Sequence, residues 1–389
     1  MGEAAPILIA GCGIGGLAAA LALARIGRQV LILEQHPDLR ESGAGIQLGP
    51  NGVKVLRRLG LADRLAAMAG VPDAIAVHSA RTGQLLSRLP LGAWIAARHG
   101  APYWTLHRQD LYRTLLDAAR AQAGIGIETD LAVTSIRLAA HGVEIGSADG
   151  RRRSGVALIG ADGLFSRVRS TVFGHPAPRF AGKTAARAVL ARGEVPALLG
   201  GNATGVWLAP HAHLVHYPVR GGAELALIAI ISEPWQSQEW SAPVDRERLL
   251  AGLGGFAPAV RESLAGIGEW RKWALFRSEV AETPSRGRVV LLGDAAHPVL
   301  PFLAQGAAMA LEDAVALAEA VETHRADLPA AFRAYGDARS ARVRCVAAAS
   351  VQNGRIYHLS GPAAWARDRV LQSVSPQRLM ARYDWLYGG

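Results

Sequence analysis

The chain has 389 residues, 50% hydrophobic and 19% charged, with a formal net charge of +10. That composition excludes a disordered chain, and the length is too great for one simple core, so two joined domains are expected. Two cysteines, Cys12 and Cys345, exclude a disulfide framework and suit a reducing, cytoplasmic setting.

The positive charge is mostly arginine scattered along the chain, with lysine only at 54, 183 and 272. The run Arg151-Arg152-Arg153 is short and lacks interleaved aromatics. It reads as a solvated turn, and no nucleic-acid partner is expected. The excess charge can still draw anionic substrates and phosphates. The opening MGEAAPILIAG has no basic leader and breaks into glycines, so it reads as a strand. With no apolar run of roughly 18 residues, no membrane span is expected.

In chain order, 6–10 is an apolar run, 15–26 is Ala/Leu-rich with helical spacing, and 29–33 is a second apolar run. Strand, tight turn, helix and strand make a βαβ unit. Helices are expected over 53–70 and 109–123. Residues 127–149 alternate and turn at His141-Gly142 and Asp149-Gly150, as antiparallel hairpins do. Buried strands are expected at 156–160 and 288–293. Between them, 205–209, 213–219 and 224–232 read as strands of an antiparallel sheet in a tryptophan-containing second domain. The stretch 307–350 is alanine-rich and helical. The expected fold class is α/β (α+β): a Rossmann-like dinucleotide domain from 1–72, 98–178 and 285–389, ending in C-terminal helices, and an inserted antiparallel-sheet substrate domain from 73–97 and 179–284.

Gly11, Gly13 and Gly16 have G-x-G-x-x-G spacing, with Gly15 inside the motif. The first glycine allows the tight turn, the second lets backbone approach a pyrophosphate, and the third lets helix pack on strand. Phosphates then meet the free N–H groups of a helix start. Glu34, followed by Gln35, ends the next strand, where a carboxylate can take ribose hydroxyls. There is one such fingerprint. Either a single nicotinamide cofactor binds, or FAD binds tightly and the nicotinamide visits without a domain of its own.

Three later segments bear on that choice: IGADGLFSRVR at 159–169, LLGDAAHP at 291–298 and PFLAQGAAMALED at 301–313. With the N-terminal fingerprint they resemble the three signatures of the single-component (group A) flavoprotein aromatic hydroxylases, the family that includes para-hydroxybenzoate hydroxylase. Gly43 to Leu48 before Pro50-Asn51, Leu106-His107-Arg108, His216-Tyr217-Pro218 and Tyr383 to Tyr387 are similar to the salicylate hydroxylase and 3-hydroxybenzoate 6-hydroxylase branch.

The resemblance implies bound FAD, with NADH or NADPH as co-substrate. It implies Asp294 at the ribityl chain, Asp162 near the pyrophosphate and Arg108 at the phosphates or ribityl. Ala44, Gly45 and the residues to Leu48 would line the isoalloxazine. Pro301, Gly306, Ala307 and Ala308 would bring a helix start to the pyrimidine edge, where reduced flavin is negative. It further implies a small aromatic acid and O2 as reactants, with oxygen transferred from a flavin hydroperoxide and the enzyme a monomer or homodimer.

His216 and Gln305 are the candidates for substrate chemistry, a histidine being able to accept a proton near neutral pH; His216 reads equally as a core histidine. Tyr217, Pro298 and Phe302 are pocket or core. His211 and His213 are expected on one strand face with His216 on the other. No carboxylate or cysteine completes a ligand set, so no metal site is expected. A same-fold flavin monooxygenase acting on an N-heteroaromatic acid or an olefin, a nicotinamide dehydrogenase and a non-catalytic binding protein are the other readings.

Overall fold

Short apolar runs build the centre of the molecule, whose computed structural model describes residues 5–39, 45–235, 241–281 and 284–388. Ile7–Ala10 pairs in parallel with Val30–Leu33 on one side and Ala157–Gly160 on the other. Ile125–Glu128 and Val289–Leu291 extend this sheet in parallel, and Ser285–Arg286 closes one edge antiparallel. The inner strands are covered on both faces, so their sequences are continuously apolar rather than alternating. Helix Ile14–Arg25 follows the first strand, and its Ala/Leu surface is buried from Leu17 to Ala24.

The structure differs from the sequence expectation in four places. The helix expected over 53–70 is two helices, Pro50–Arg58 and Ala62–Ala66. Gly60, at φ +65, ends the first. Gly60 N–H donates to Arg57 O and Leu61 N–H to Leu56 O, the paired bonds of a Schellman end. The helical stretch 307–350 is likewise two helices, Gly306–Thr323 and Leu328–Tyr357. Asp327 caps the second through the Ala330 N–H, with Pro329 in its first turn. Ile125–Glu128 joins the central sheet, while the hairpin strands are Val133–Ala139, Gly142–Ser147 and Arg152–Gly155. Last, the large sheet is not wholly antiparallel, because Ala203–Ala209 pairs in parallel with Ala74–Ser79.

That eight-stranded sheet runs in the order Ser241–Pro243, Arg271–Arg277, Arg179–Ala191, Glu224–Ser232, Ala212–Val219, Ala203–Ala209, Ala74–Ser79, Leu85–Pro90. One face packs Trp207, Leu214 and Leu227 against Leu249, Phe256, Val260 and Leu264 from two short helices and their connection. The other face looks toward the central sheet across a cavity. Among the described residues, no helix is long and apolar enough to cross a membrane.

A buried ionic node locks these layers. Asp313 is fully buried on helix Gly306–Thr323. Its carboxylate takes Arg339 Nε at 2.6 Å, His297 Nε2 at 2.5 Å and the Gly293 N–H at 3.0 Å. Glu312 beside it pairs with Arg339 and Arg342 and accepts from Asn51. Burial alone would raise the Asp313 carboxyl, but His297 and Arg339 outweigh it and hold the group well below the ordinary range. Its contribution to stability is therefore present above the unfolded carboxyl pKa, about 3.9, and is lost as pH falls toward the lower folded value. Asp313→Asn should cost about 3 kcal/mol at neutral pH, since a buried guanidinium and imidazole lose their counter-charge. Urea denaturation at pH 7 and pH 4 checks this; the variant should also show a flatter loss of stability on acidification, and an unchanged midpoint at both pH values would refute it.

Candidate active site

The first strand ends at Ala10 and is followed by Gly11, whose φ of +102 suits glycine alone. A Cβ on Gly16 would lie 2.1 Å from the Gly11 carbonyl oxygen, so the helix can start this close to the strand only with glycine there. A Cβ on Gly13 would meet nothing within 4 Å, and both Gly13 and Gly15 face the cavity. Glu34 Oε2 accepts the Cys12 N–H at 2.9 Å and its Oε1 the His36 N–H at 3.0 Å. Gln35 contacts the exposed His36 ring. Burial pushes the Cys12 thiol up to about 12, which leaves it an inert packing group.

Asp294 follows the strand Val289–Leu291. Its carboxylate opens onto the cavity and makes no hydrogen bond to the described residues; only the backbone oxygen beside it is engaged, by Arg169. Enclosure by protein raises this carboxyl, with His297, Arg108 and Arg169 opposing. Arg169 itself is buried and donates to the Asp294 and Ala295 carbonyls, so it shapes the turn from behind. Sequence reading gave it no role, although it closes the segment 159–169. Asp162 is spent locally: its oxygens accept Ser166 Oγ at 2.6 Å and the Val168 N–H at 3.0 Å, while its neighbours Ala161 and Gly163 form the wall.

Gly306 and Ala307 open the helix Gly306–Thr323 at the cavity, with Pro301 and Phe302 just before. Ala304 holds φ +53, unusual for a residue with a side chain and a strain found at ligand sites. Ala308 turns away and packs on Gly52. Gln305 is buried, its Oε1 held by Asn51 Nδ2 at 2.9 Å, and Pro298 is also outside the wall. Gly45, Arg108 and Tyr217 are in the wall, whereas Ala44 lies outside the described residues.

These elements surround one cavity of about 830 Å³. Its far side is the face of the eight-stranded sheet, and strand alternation decides which side chains reach it. On Ala212–Val219 the inward residues are His213, Val215 and Tyr217. His216 points the other way and is withdrawn as a substrate-contacting candidate. Its ring lies over cross-strand Gly205, where a Cβ would come 2.0 Å from Nε2, and beside Trp207. Burial lowers its pKa to about 3. The expected pairing of His211 with His213 also fails, because His211 sits in the turn at φ +63. Among the described residues no group of three His, Cys, Asp or Glu side chains could hold a metal.

Sequence reading missed His213, Tyr103 and Arg187 as cavity residues, while Gln47, expected near the flavin, is in the wall. Parity with Tyr217 on the same strand was the signal for His213. Tyr103 Oη donates to Gln47 Oε1 at 2.7 Å. A Cβ on Gly45 would strike Tyr217, so that glycine brings the strand Gly45–Leu48 against the sheet.

A glycine cradle, an open carboxylate, a guanidinium and a helix start on one cavity fit a dinucleotide with a polyhydroxyl chain. A family model described as FAD binding domain matches residues 4–350. The chain belongs to the FAD binding domain family.

The chain is 38% identical to 3-hydroxybenzoate 6-hydroxylase of Polaromonas naphthalenivorans (strain CJ2), over 98% of this chain and 96% of that protein. Among solved structures, Klebsiella pneumoniae HpxO complexed with FAD and uric acid has a TM-score of 0.86 at 28% identity, over 98% of this chain and 96% of that one. A salicylate hydroxylase substrate complex has a TM-score of 0.84 at 26% identity, over 100% and 96%. The chain is an FAD-dependent aromatic monooxygenase of that family.

In this flavoprotein, Asp294→Ala should weaken FAD binding at least tenfold, the loss of one or two charge-assisted hydrogen bonds. Absorbance near the flavin band after purification and an FAD titration measure it. A variant that keeps wild-type FAD affinity would refute the ribityl role of Asp294.

Proposed function

We propose that this enzyme hydroxylates a small monocyclic aromatic acid of the hydroxybenzoate kind, using O2 and NADH or NADPH. The observation that carries this reading is a single sheet face that offers Arg187, Tyr217 and His213 amid Val77, Val206 and Leu208, opposite the flavin-side strand and helix start. Bound FAD, reduced by the nicotinamide, supplies the activated oxygen.

The chain's own groups do the rest. Arg187 is the one permanently charged side chain that this sheet face gives the cavity among the described residues, and it suits a carboxylate. Its guanidinium lies 4.8 Å from the Trp273 ring centre, which fixes the side chain from outside the cavity. The apolar wall excludes water and holds the ring flat. His213 is almost fully buried at that wall. Burial pulls its pKa well below that of a free imidazole, so it meets a substrate hydroxyl as a neutral base or donor. The amide end of Gly306–Thr323 favours negative charge beside it. Asp294, Arg108 and the Gly13–Gly15 turn would hold the ribityl and phosphate parts of FAD, and Glu34 the ribose. The buried Cys12 and exposed Cys345 both stand as free thiols, as suits a reducing, cytoplasmic setting.

A panel of hydroxybenzoates and pyridine acids, followed by NADH and NADPH oxidation with product mass, tests the substrate class; stimulation by none of the aromatic acids would sink it. His213→Gln should slow hydroxylation about 100-fold and divert reducing equivalents to peroxide, whereas His216→Gln should stay coupled. The reverse order would reinstate His216. Arg187→Met should weaken 3-hydroxybenzoate binding about tenfold to a hundredfold, the weight of one charged hydrogen bond; equilibrium titration of the oxidised enzyme reads this directly.

A further inference from the structure

Beside the cavity, three titratable side chains form an unbroken hydrogen-bonded line. His213 Nδ1 lies 2.7 Å from His358 Nε2, His358 Nδ1 lies 2.9 Å from Lys183 Nζ, and Lys183 Nζ donates to Ser232 Oγ at 2.7 Å. His213 is at the cavity wall, while His358 and Lys183 are half-buried, so the line leads from the cavity toward solvent. Two backbone features build it. Lys183 sits where Arg179–Ala191 slips register against Arg271–Arg277, next to Gly182 at φ +72, and such a bulge re-aims a side chain. His358 is the residue that ends the long helix Leu328–Tyr357. Tyr357 meets the His213 ring edge-on and Phe302 meets it at a tilt, and together they hold its plane.

The donors fix the sense of the line. An ammonium has three N–H donors and no acceptor. With Lys183 charged, His358 Nδ1 must accept, His358 Nε2–H must donate to His213 Nδ1, and His213 then presents Nε2–H to the cavity. With Lys183 neutral, every bond can reverse, and His213 Nε2 becomes an acceptor.

We propose that Lys183 is the terminal acceptor of the substrate hydroxyl proton, which reaches it through His213 and His358. The proposal rests on His213 meeting the substrate, as argued under the proposed function. The step balances without a co-reactant. The phenol O–H proton passes to His213 Nε2 as the His213 Nδ1 proton passes to His358 Nε2, and the His358 Nδ1 proton passes to the Lys183 amine. Phenol and amine become phenolate and ammonium, both rings stay neutral, and His213 is left donating to the phenolate it has made. An ionised hydroxyl makes the ring electron-rich, as oxygen transfer requires. Lys183 then loses its proton to water through its exposed side.

The surroundings agree with neutral rings and a labile amine. Burial lowers His213 and His358, the latter to about 3, and also lowers Lys183. Among the described residues, the titratable and charged groups near the line include His211 and Arg367, both near His358, and the Glu233–Lys272 pair beyond Ser232. Arg367 is itself tied to Asp368 and the Ile356 and Tyr357 carbonyls. Glu233 is held by Lys272 and Thr184 rather than by Lys183.

The test uses oxidised, FAD-loaded enzyme without reductant, mixed with 3-hydroxybenzoate. Stopped-flow absorbance follows the bound phenolate, and an indicator dye in weak buffer follows the released proton. Lys183→Arg keeps the charge but stays protonated, and His358→Gln keeps bulk without relaying. Both should slow phenolate formation about tenfold or more, with FAD absorbance unchanged. Wild-type rates and an unshifted pH profile in either variant overturn the relay. If His213→Gln is slow while those two behave as wild type, the relay alone falls; if all three behave as wild type, the His213 reading falls with it. In the unaltered enzyme the rate should bow when plotted against D2O fraction, because three protons move, and a straight line would overturn the relay independently of any variant.

Discussion

Asp313 is the point on which the site's geometry depends. One buried carboxylate binds the Gly293 amide, the His297 ring and the Arg339 guanidinium. Those partners belong to the turn that carries Asp294 and to the long helix that ends at His358. Asp313 itself rides on the helix whose first residues face the cavity. A buried charge that is fully paired tolerates little displacement of any partner, because each ångström lost leaves an ion in low dielectric. The turn at Asp294, the helix start at Gly306 and the long helix that ends at His358 are therefore referenced to the same carboxylate. His297 is raised as a consequence: burial lowers it, but Asp313 more than compensates.

A second constraint is the alternation of the large sheet. Every second residue of its strands meets either the helix-covered core or the cavity, and the two faces have different chemistry. The core face takes Trp207, Leu214 and His216; the cavity face takes Val206, Val215, His213 and Tyr217. A histidine three positions from another is on the opposite side, so neighbouring histidines of one strand have unrelated roles. His216 fills the space above Gly205, a packing duty, and its depressed pKa reflects burial rather than function.

The two faces of the cavity also divide the labour. The central-sheet side supplies glycine turns, a carboxylate, a guanidinium and a helix start, groups suited to phosphate and sugar. The large-sheet side is apolar, with one permanent charge and one imidazole among the described residues, as suits an aromatic acid and its hydroxyl proton. Gly45 lets these sides touch at Tyr217.

Local sequence determined the βαβ start, the glycine cradle, Glu34, the strands before Asp162 and Asp294, and the helix start at Gly306, because each is fixed by a short run whose sterics or period is visible in one dimension. It also carried the family, since those runs come in a fixed order. Helix ends at Gly60 and Asp327 were written there too, as a left-handed glycine and a capped proline turn, but broad apolar periodicity masked them. Tertiary structure alone decided that Ala203–Ala209 and Ala74–Ser79 pair in parallel, that Asp162 is consumed by its own turn, and that His213 rather than His216 meets the cavity. It alone brought Lys183 to His358, across 175 positions of chain. Contacts of that range depend on sheet register, a bulge and the length of a helix together, and no local stretch of residues encodes their sum.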